Sequence, residues 1–313
     1  MFRKNIDFLS YLMFNKIPDT PAELRIEITN RCNLNCKFCD RAAMKRSTTD
    51  MSLDLFTKIC FESVEMGIQK LGLNRFGEPT MHPQLPEMVS IAKKLGAINI
   101  EFATNATLLT EDLAEKLIDA GLDRIEFSID SMNPRLYNKL RVGADFPQTH
   151  KNILGFLKIA KAKNSSIKTA VTFICMKENS SEIKDYFKYW KGLVDDIIFY
   201  PFHGYGNLIN RHAIGVSDNT RVKCYLFYYM MSVYVDGYAG MCCVGDPDAK
   251  LATLDLNTHT LREAWSCQRA NQIRGLHFKR DFRGLDICSK CDMTLPYRNW
   301  FYHTVWVAMK KYF

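Results

Sequence analysis

Leu24-Arg25-Ile26-Glu27-Ile28-Thr29 runs directly into Asn30-Arg31-Cys32-Asn33-Leu34-Asn35-Cys36-Lys37-Phe38-Cys39. The first six residues form a β-rich run, and the ten that follow place three thiols on one loop in the spacing Cys-x3-Cys-x2-Cys. No fourth ligand lies nearby. A structural zinc takes four ligands, so an isolated trio leaves one coordination position open. Soft thiolates suit iron–sulfur clusters, and a four-iron cluster held by three cysteines keeps one iron free for an outside molecule. A zinc site completed by some distant residue is the alternative reading of the same spacing.

Outward from this stretch, β-rich runs recur at 70–75, 98–104, 124–130, 167–174 and 195–200, with amphipathic stretches at 53–66, 84–95, 111–120 and 181–190 between them. Connections this long exclude hairpins and predict a parallel sheet of the β/α type. Gly67, Gly96 and Gly121 stand where helix C-terminal caps belong. In any such sheet the chemistry collects at the carboxyl ends of the strands. After Pro201 the pattern changes: His203-Gly-Tyr205-Gly-Asn207 reads as loop, 230–235 and 238–242 as a hairpin turning at Asp236-Gly237, and 260–270 as helix. The expected division is an N-terminal extension at 1–23, a β/α unit at 24–200 and a smaller unit at 201–313.

Composition narrows the function. The 313 residues are 47% hydrophobic and 24% charged, which excludes disorder and collagen-like repeats. The net charge of +8 is spread along the chain without a basic run or a basic–aromatic stripe, so nucleic acid is not an expected partner. Eleven cysteines, an odd number, and an N-terminus without a signal-type apolar stretch argue against a secreted disulfide framework. The longest apolar stretch, 224–235, is too short for a membrane span, and the expected location is cytoplasmic.

The thiol spacing at the end of the first strand of a β/α repeat resembles the radical S-adenosylmethionine (radical SAM) enzymes, and the resemblance covers almost the whole chain. It implies a partial (β/α)6 barrel. It also implies that Cys32, Cys36 and Cys39 hold a [4Fe-4S] cluster whose open iron binds SAM, and that the reduced cluster cleaves SAM to a 5′-deoxyadenosyl radical. Phe38 matches the family's aromatic position beside the adenine. Phe76-Gly77-Glu78-Pro79 looks like the family's Gly-Gly-Glu-Pro motif, with Phe for the first Gly. Thr104-Asn105 is similar to its Thr-Asn-Gly, with Ala106 for Gly. Ser128 and Asp130 at the fourth strand's end, with Arg141 after Tyr137, complete the set implied to contact SAM. Arg141 offers a bidentate fork for a carboxylate. Taken singly, these residues have plainer readings: Glu78 pairs with Arg75, Asp130 caps the helix at Pro134, and Arg141 forms a surface ion pair.

Cys224, Cys242, Cys288 and Cys291 resemble the ligands of the family's SPASM/twitch extension, in its shortened form with one auxiliary [4Fe-4S] cluster. Four thiolates alone would equally suit zinc. Leu261-Arg-Glu-Ala-Trp265 resembles a stretch common in such extensions. Cys60 and Cys175 read as small apolar residues, and Cys267 is ambiguous. Cys243 is a candidate hydrogen donor to a substrate radical, although the alternatives remain that Cys-Cys is simply usual here or that Cys243 is the true ligand. His203 is a candidate base, with Tyr205 and Asn207 as substrate contacts; a plain turn reads as well.

The resemblance implies an enzyme that abstracts substrate hydrogen, with epimerisation or dehydrogenation as the outcome. The short N-terminal extension favours a carbohydrate- or aminocyclitol-like small molecule over a ribosomal peptide, because a leader-binding domain would need about 80 residues. A reducing partner such as flavodoxin or ferredoxin is expected. A non-catalytic iron–sulfur electron carrier is the alternative of another class, but such a carrier has no need of Gly77, Glu78, Pro79 and Arg141.

Overall fold

The computed structural model describes residues 17–202, 223–242 and 245–291. Its strands are β1 (Glu23–Ile26), β2 (Asn35–Cys36), β3 (Lys70–Gly72), β4 (Ile100–Thr104), β5 (Arg124–Ser128), β6 (Arg141–Val142), β7 (Lys168–Cys175), β8 (Asp196–Pro201), β9 (Met230–Val233), β10 (Tyr238–Gly240) and β11 (Ala252–Asp255). The main sheet runs β11-β10-β9-β1-β3-β4-β5-β7-β8. From β1 to β8 all neighbours pair in parallel. This is the expected β/α sheet, with helices Leu53–Glu65, Leu85–Lys94, Glu111–Asp119 and Ile183–Trp190 close to their expected spans. Two further helices, Pro134–Leu140 and Phe146–Ala162, fill the connection between β5 and β7.

Alternation along the strands gives the sheet two different faces. Leu24 and Ile26, Ile100 and Phe102, and Ile125 and Phe127 pack with helix residues such as Ile59, Met88 and Leu117 in one apolar core. The intervening residues are charged and face one another on the opposite side. Arg25 pairs with Glu23 and, at 3.2 Å, with Glu101; Lys70 reaches Glu101 at 2.7 Å; Arg124 reaches Glu126 at 3.0 Å. These ions band the amino-terminal part of the sheet. The carboxyl ends are left for the loops that carry the motif residues.

The sheet does not stop at residue 201. β9 adds in parallel to β1, with Glu23 opposite Met230 and Ile26 opposite Val233, and β10 and β11 follow antiparallel. The hairpin closes through three residues, with Gly237 N–H donating to Tyr234 O at 2.9 Å and Gly237 at φ +94°, where the loop demands a left-handed residue. Met231, Val233 and Trp265 join the large core. A second, smaller core gathers Leu226, Phe227, Met241, Ile273 and Phe282 around Cys224 and Cys288. The helix expected over 260–270 is two, Leu261–Ser266 and Gln268–Phe278. They break at Cys267, whose thiol accepts from Ala270 N–H at 3.4 Å as the second helix's N-cap. That resolves the ambiguous thiol as a cap. No helix among the described residues is long and apolar enough to cross a membrane.

Glu101→Leu removes one of the two carboxylates that Arg25 and Lys70 share, Glu23 being the other. Because Arg25 and Lys70 are about a quarter exposed, the expected loss is about 2 kcal/mol, below that for a fully buried pair. It should appear as a lower urea midpoint at unchanged slope.

Candidate active site

The thiol loop follows Thr29 and is held from three sides. Behind it, buried Asn30 donates to Ser47 O (2.9 Å) and accepts from Thr49 N–H (2.7 Å), while Arg31 grips Asp50 and Met81 O. Beside it, β2 pairs with β6 so that Cys36 lies opposite Arg141. In front, Asn105 Nδ2 donates to Asn33 Oδ1 at 3.0 Å.

The second strand's motif is pressed against the same loop. A Cβ on Gly77 would stand 2.1 Å from Thr29 O and 2.8 Å from Arg31 O, both backbone atoms, so no side chain fits. Glu78 N–H donates to Arg31 O at 2.8 Å. The Glu78 carboxylate, 3% exposed, accepts from the Thr104 hydroxyl (2.6 Å), the Thr80 hydroxyl (2.7 Å) and Asn105 N–H (2.7 Å). Burial pushes its pKa up, and no basic side chain among the described residues forms an ion pair with it. Arg75, the partner its neighbourhood in sequence suggests, points elsewhere and holds Cys242 O. Glu78 is therefore a buried acceptor ready for a cationic group such as an ammonium.

Arg141, 6% exposed, is no surface residue. Its Nε and Nη2 both reach Asp130 Oδ2, at 2.8 and 2.6 Å, and its guanidinium lies over the Phe38 ring at 5.3 Å. The fork expected for an outside carboxylate is thus engaged on Asp130 along two of its donors. Asp130 does not cap the next helix; Asn133 does, accepting from Arg135 and Leu136 N–H. Asp130 instead braces β7 through Ile174 N–H at 2.7 Å. Ser128, half-buried at the end of β5, pairs by backbone with Thr172. Pro79 opens the 3-10 turn after Glu78. Ala106 takes φ +58°, the left-handed conformation for which the related motif has glycine.

All ten described cysteines are free thiols. Cys32, Cys36 and Cys39 lie within electrostatic reach of one another; burial pushes all three thiols up, Cys39 to about 12, and Arg141 partly offsets this at Cys36. Cys224 likewise feels the charges of Cys291, Cys242 and Cys288. Among the described residues no three Cys, His, Asp or Glu side chains close on a single metal ion. What fits an iron–sulfur cluster is the donor chemistry: three soft thiols on one loop, and a second set of thiols of which Cys224, Cys242 and Cys288 belong to the smaller core. Cys60 is fully buried as expected, whereas Cys175 is only half-buried. His203, Tyr205, Asn207 and Cys243 lie outside the described residues.

Spacing did not point to the polar band between the two thiol sets. Glu27, Arg46, Tyr234 and Asp246 are interlocked there, with Arg46 Nη2 on Glu27 at 2.9 Å and Tyr234 OH on Asp246 at 2.7 Å. Asp40, next to Cys39, is buried with Oδ2 unpartnered, and burial lifts its pKa to about 7 against the pull of Arg75. These residues are scattered over loops and strand ends and share no spacing that the sequence could show.

A family model described as the radical SAM superfamily matches residues 26–189, and one described as an iron-sulfur cluster-binding domain, SPASM, matches residues 224–292. A probable GTP 3′,8-cyclase of Methanococcus maripaludis is 38% identical over 130 residues, 41% of this chain and 43% of that protein. Another, of Methanocaldococcus jannaschii, is 32% identical over 174 residues, 54% of this chain and 55% of that protein. The chain thus spans about half the length of the curated relatives it matches. Among solved structures, Streptococcus suis SuiB bound to precursor peptide SuiA aligns at TM-score 0.68 and 14% identity over 93% of this chain and 74% of that one. BtrN in complex with AdoMet and 2-DOIA aligns at 0.58 and 14%, over 87% and 93% of the two chains. At such identities the likeness is one of fold.

An acid with a raised pKa keeps a proton in the fold that the unfolded chain releases. For metal-free protein, Asp40 therefore costs stability progressively from about pH 4 to pH 7 and fully above that. Asp40→Asn should match wild type near pH 4 and exceed it at pH 8, by about 4 kcal/mol at most for a shift from 3.8 to about 7. Thermal unfolding across that range measures it; equal differences at both pH values would show that the buried charge has no such cost.

Proposed function

Since the chain belongs to the radical SAM superfamily, whose family model covers residues 26–189, we propose that Cys32, Cys36 and Cys39 hold its SAM-binding [4Fe-4S] cluster. We propose further that the reaction is hydrogen abstraction from a sugar carbon of a small molecule. The matched domains bring SAM, that cluster and an auxiliary iron–sulfur cluster as cofactors. When bound, they supply the one-electron cleavage of SAM and a radical able to take hydrogen from carbon.

The observation carrying the site assignment is Glu78. A carboxylate this buried, satisfied by hydroxyls and an N–H but by no cation, sits within electrostatic reach of Cys32 and Cys36. The SAM amino group matches that vacancy of charge, and Gly77 lets the motif approach closely enough to present it. Phe38 and Arg141 form the adjoining wall, where the adenine and the remaining Arg141 N–H groups meet. Thr104 and Asn105 serve by fixing the Glu78 carboxylate, which makes them positioning residues as much as contacts. Ser128 and Asp130 stand at the carboxyl end of β5 beside them. Cys224, Cys242, Cys288 and Cys291 are the proposed auxiliary ligands.

A sugar-bearing substrate is favoured by the curated relatives, named as cyclases acting at a 3′ position of GTP. Epimerisation, with Cys243 returning hydrogen, and dehydrogenation, with His203 as base and the auxiliary cluster as electron acceptor, remain the two outcomes for a carbohydrate- or aminocyclitol-like substrate. A peptide substrate is the second reading, and the fold shared with peptide-bound SuiB favours it. A flavodoxin- or ferredoxin-like protein would supply electrons.

The Cys32/Cys36/Cys39→Ala triple variant should lose 5′-deoxyadenosine formation while keeping about half the iron. Retained 5′-deoxyadenosine would sink the assignment of these thiols. With substrate in hand, one deuterium in the product from D₂O marks thiol-mediated epimerisation, to be lost in Cys243→Ala. A product two mass units lighter in both proteins marks dehydrogenation.

A further inference from the structure

We propose that Arg75 sets the reduction potential of the auxiliary iron–sulfur centre, its fixed positive charge at Cys242 making that centre easier to reduce. This rests on the reading of Cys224, Cys242, Cys288 and Cys291 as the centre's ligands.

Arg75 lies just past the end of β3, one residue before the Phe76-Gly77-Glu78 turn, yet its side chain reaches away from the SAM site. Its Nη2 donates to Cys242 O at 2.6 Å, and Ser232 Oγ donates to the same oxygen at 2.9 Å. The guanidinium stacks over Phe76 at 4.5 Å and over Tyr234 at 4.2 Å. Its Nε and Nη1 are buried without a hydrogen-bond partner.

Three carboxylates are near, but none forms an ion pair with it, the buried Asp40 included. Glu27 is taken by Arg46 and by Val235 N–H; Asp246 is taken by Tyr234 OH, Lys250 N–H and Leu251 N–H. Arg75 forms no ion pair within 4.0 Å among the described residues. A buried cation with two unpartnered nitrogens is a poor way to fill space, since an apolar side chain would pack between two rings without that cost. The positive charge itself is what distinguishes Arg75 there, and its one short hydrogen bond ends on the residue that carries a proposed ligand thiol.

The physical effect follows from charge alone. Adding one electron makes the centre more negative, and a fixed cation in a low-dielectric surrounding stabilises the more negative state. Arg75 keeps its protons throughout, so the step is a one-electron reduction by an external one-electron donor with no coupled proton.

The test uses the full chain with Cys32, Cys36 and Cys39 all replaced by Ala, reconstituted with iron and sulfide and titrated with dithionite under electron paramagnetic resonance. Arg75→Gln keeps a donor for Cys242 O and loses the charge. At a fixed poise its reduced-to-oxidised ratio should be at least tenfold lower, a midpoint lower by about 59 mV or more for one electron. Arg75→Lys keeps the charge, and Ser232→Ala removes only a neutral hydrogen bond; both should stay within about threefold of the parent. If Arg75→Gln fails to hold iron, Ser232→Asp sets a counter-anion beside the guanidinium and should lower the midpoint in the same direction. An iron-loaded Arg75→Gln, or failing it Ser232→Asp, with an unmoved midpoint overturns the proposal. A triple-Ala parent that holds no iron overturns the auxiliary-ligand reading beneath it.

Discussion

Everything at the candidate site depends on how closely two backbones approach. Gly77 passes the Thr29–Arg31 turn at a distance that leaves no room for a methyl group, and the N–H of Glu78 ties itself to Arg31 O. From that contact follow the placement of the Glu78 carboxylate, its capture by Thr104 and Asn105, and the tether from Asn105 back to Asn33 in the thiol loop. The loop of the first strand, the turn after β3 and the end of β4 are therefore tied to one another. The site's precision comes from backbone contact reinforced by short hydrogen bonds, with little called for from surface ion pairs.

Most of this layout was legible in the sequence because its signals are local. The thiol spacing, Gly77-Glu78-Pro79 and Thr104-Asn105 are each read within a few residues, and each β-rich or amphipathic run within a dozen or so. Less legible were partners chosen across the fold. Nothing near Arg141 says that its fork closes on Asp130, and nothing near Arg75 says that it passes over Glu78 to reach Cys242, 167 residues away. The nearest opposite charge is the plainer reading of a residue taken singly, and the structure sets aside both that pairing of Glu78 with Arg75 and the capping of the helix at Pro134 by Asp130. Likewise the hairpin turning at Asp236-Gly237 is visible, but its parallel seat on β1 is not, because main-chain pairing does not name its partner strand in the side chains.

Between the two thiol sets the protein buries an unusual amount of charge. Glu27, Asp40 and Glu78 all have carboxyls that burial disfavours in the ionised form. Glu27 and Asp40, but not Glu78, are met by Arg46 and Arg75, whose guanidiniums lie over the shared ring of Tyr234 at 4.8 and 4.2 Å. Planar, always-charged guanidinium suits this role, since it can stack on aromatic faces while its edge donates. The region is held in one arrangement by many polar contacts and not by apolar packing, which lies on the helix side of the sheet and in the smaller core.

The seat of β9 on β1 has an evolutionary corollary. Parallel strand pairing joins main chain to main chain, so it asks little of the side chains on either partner beyond fitting the pleat. A C-terminal segment attached in this way can vary in loop length and surface without losing its place on the sheet. The β/α half, by contrast, is pinned by residues such as Gly77 that tolerate no exchange. A chain assembled so would accumulate novelty unevenly, with old chemistry conserved on one side of β1 and new specificities arising on the other.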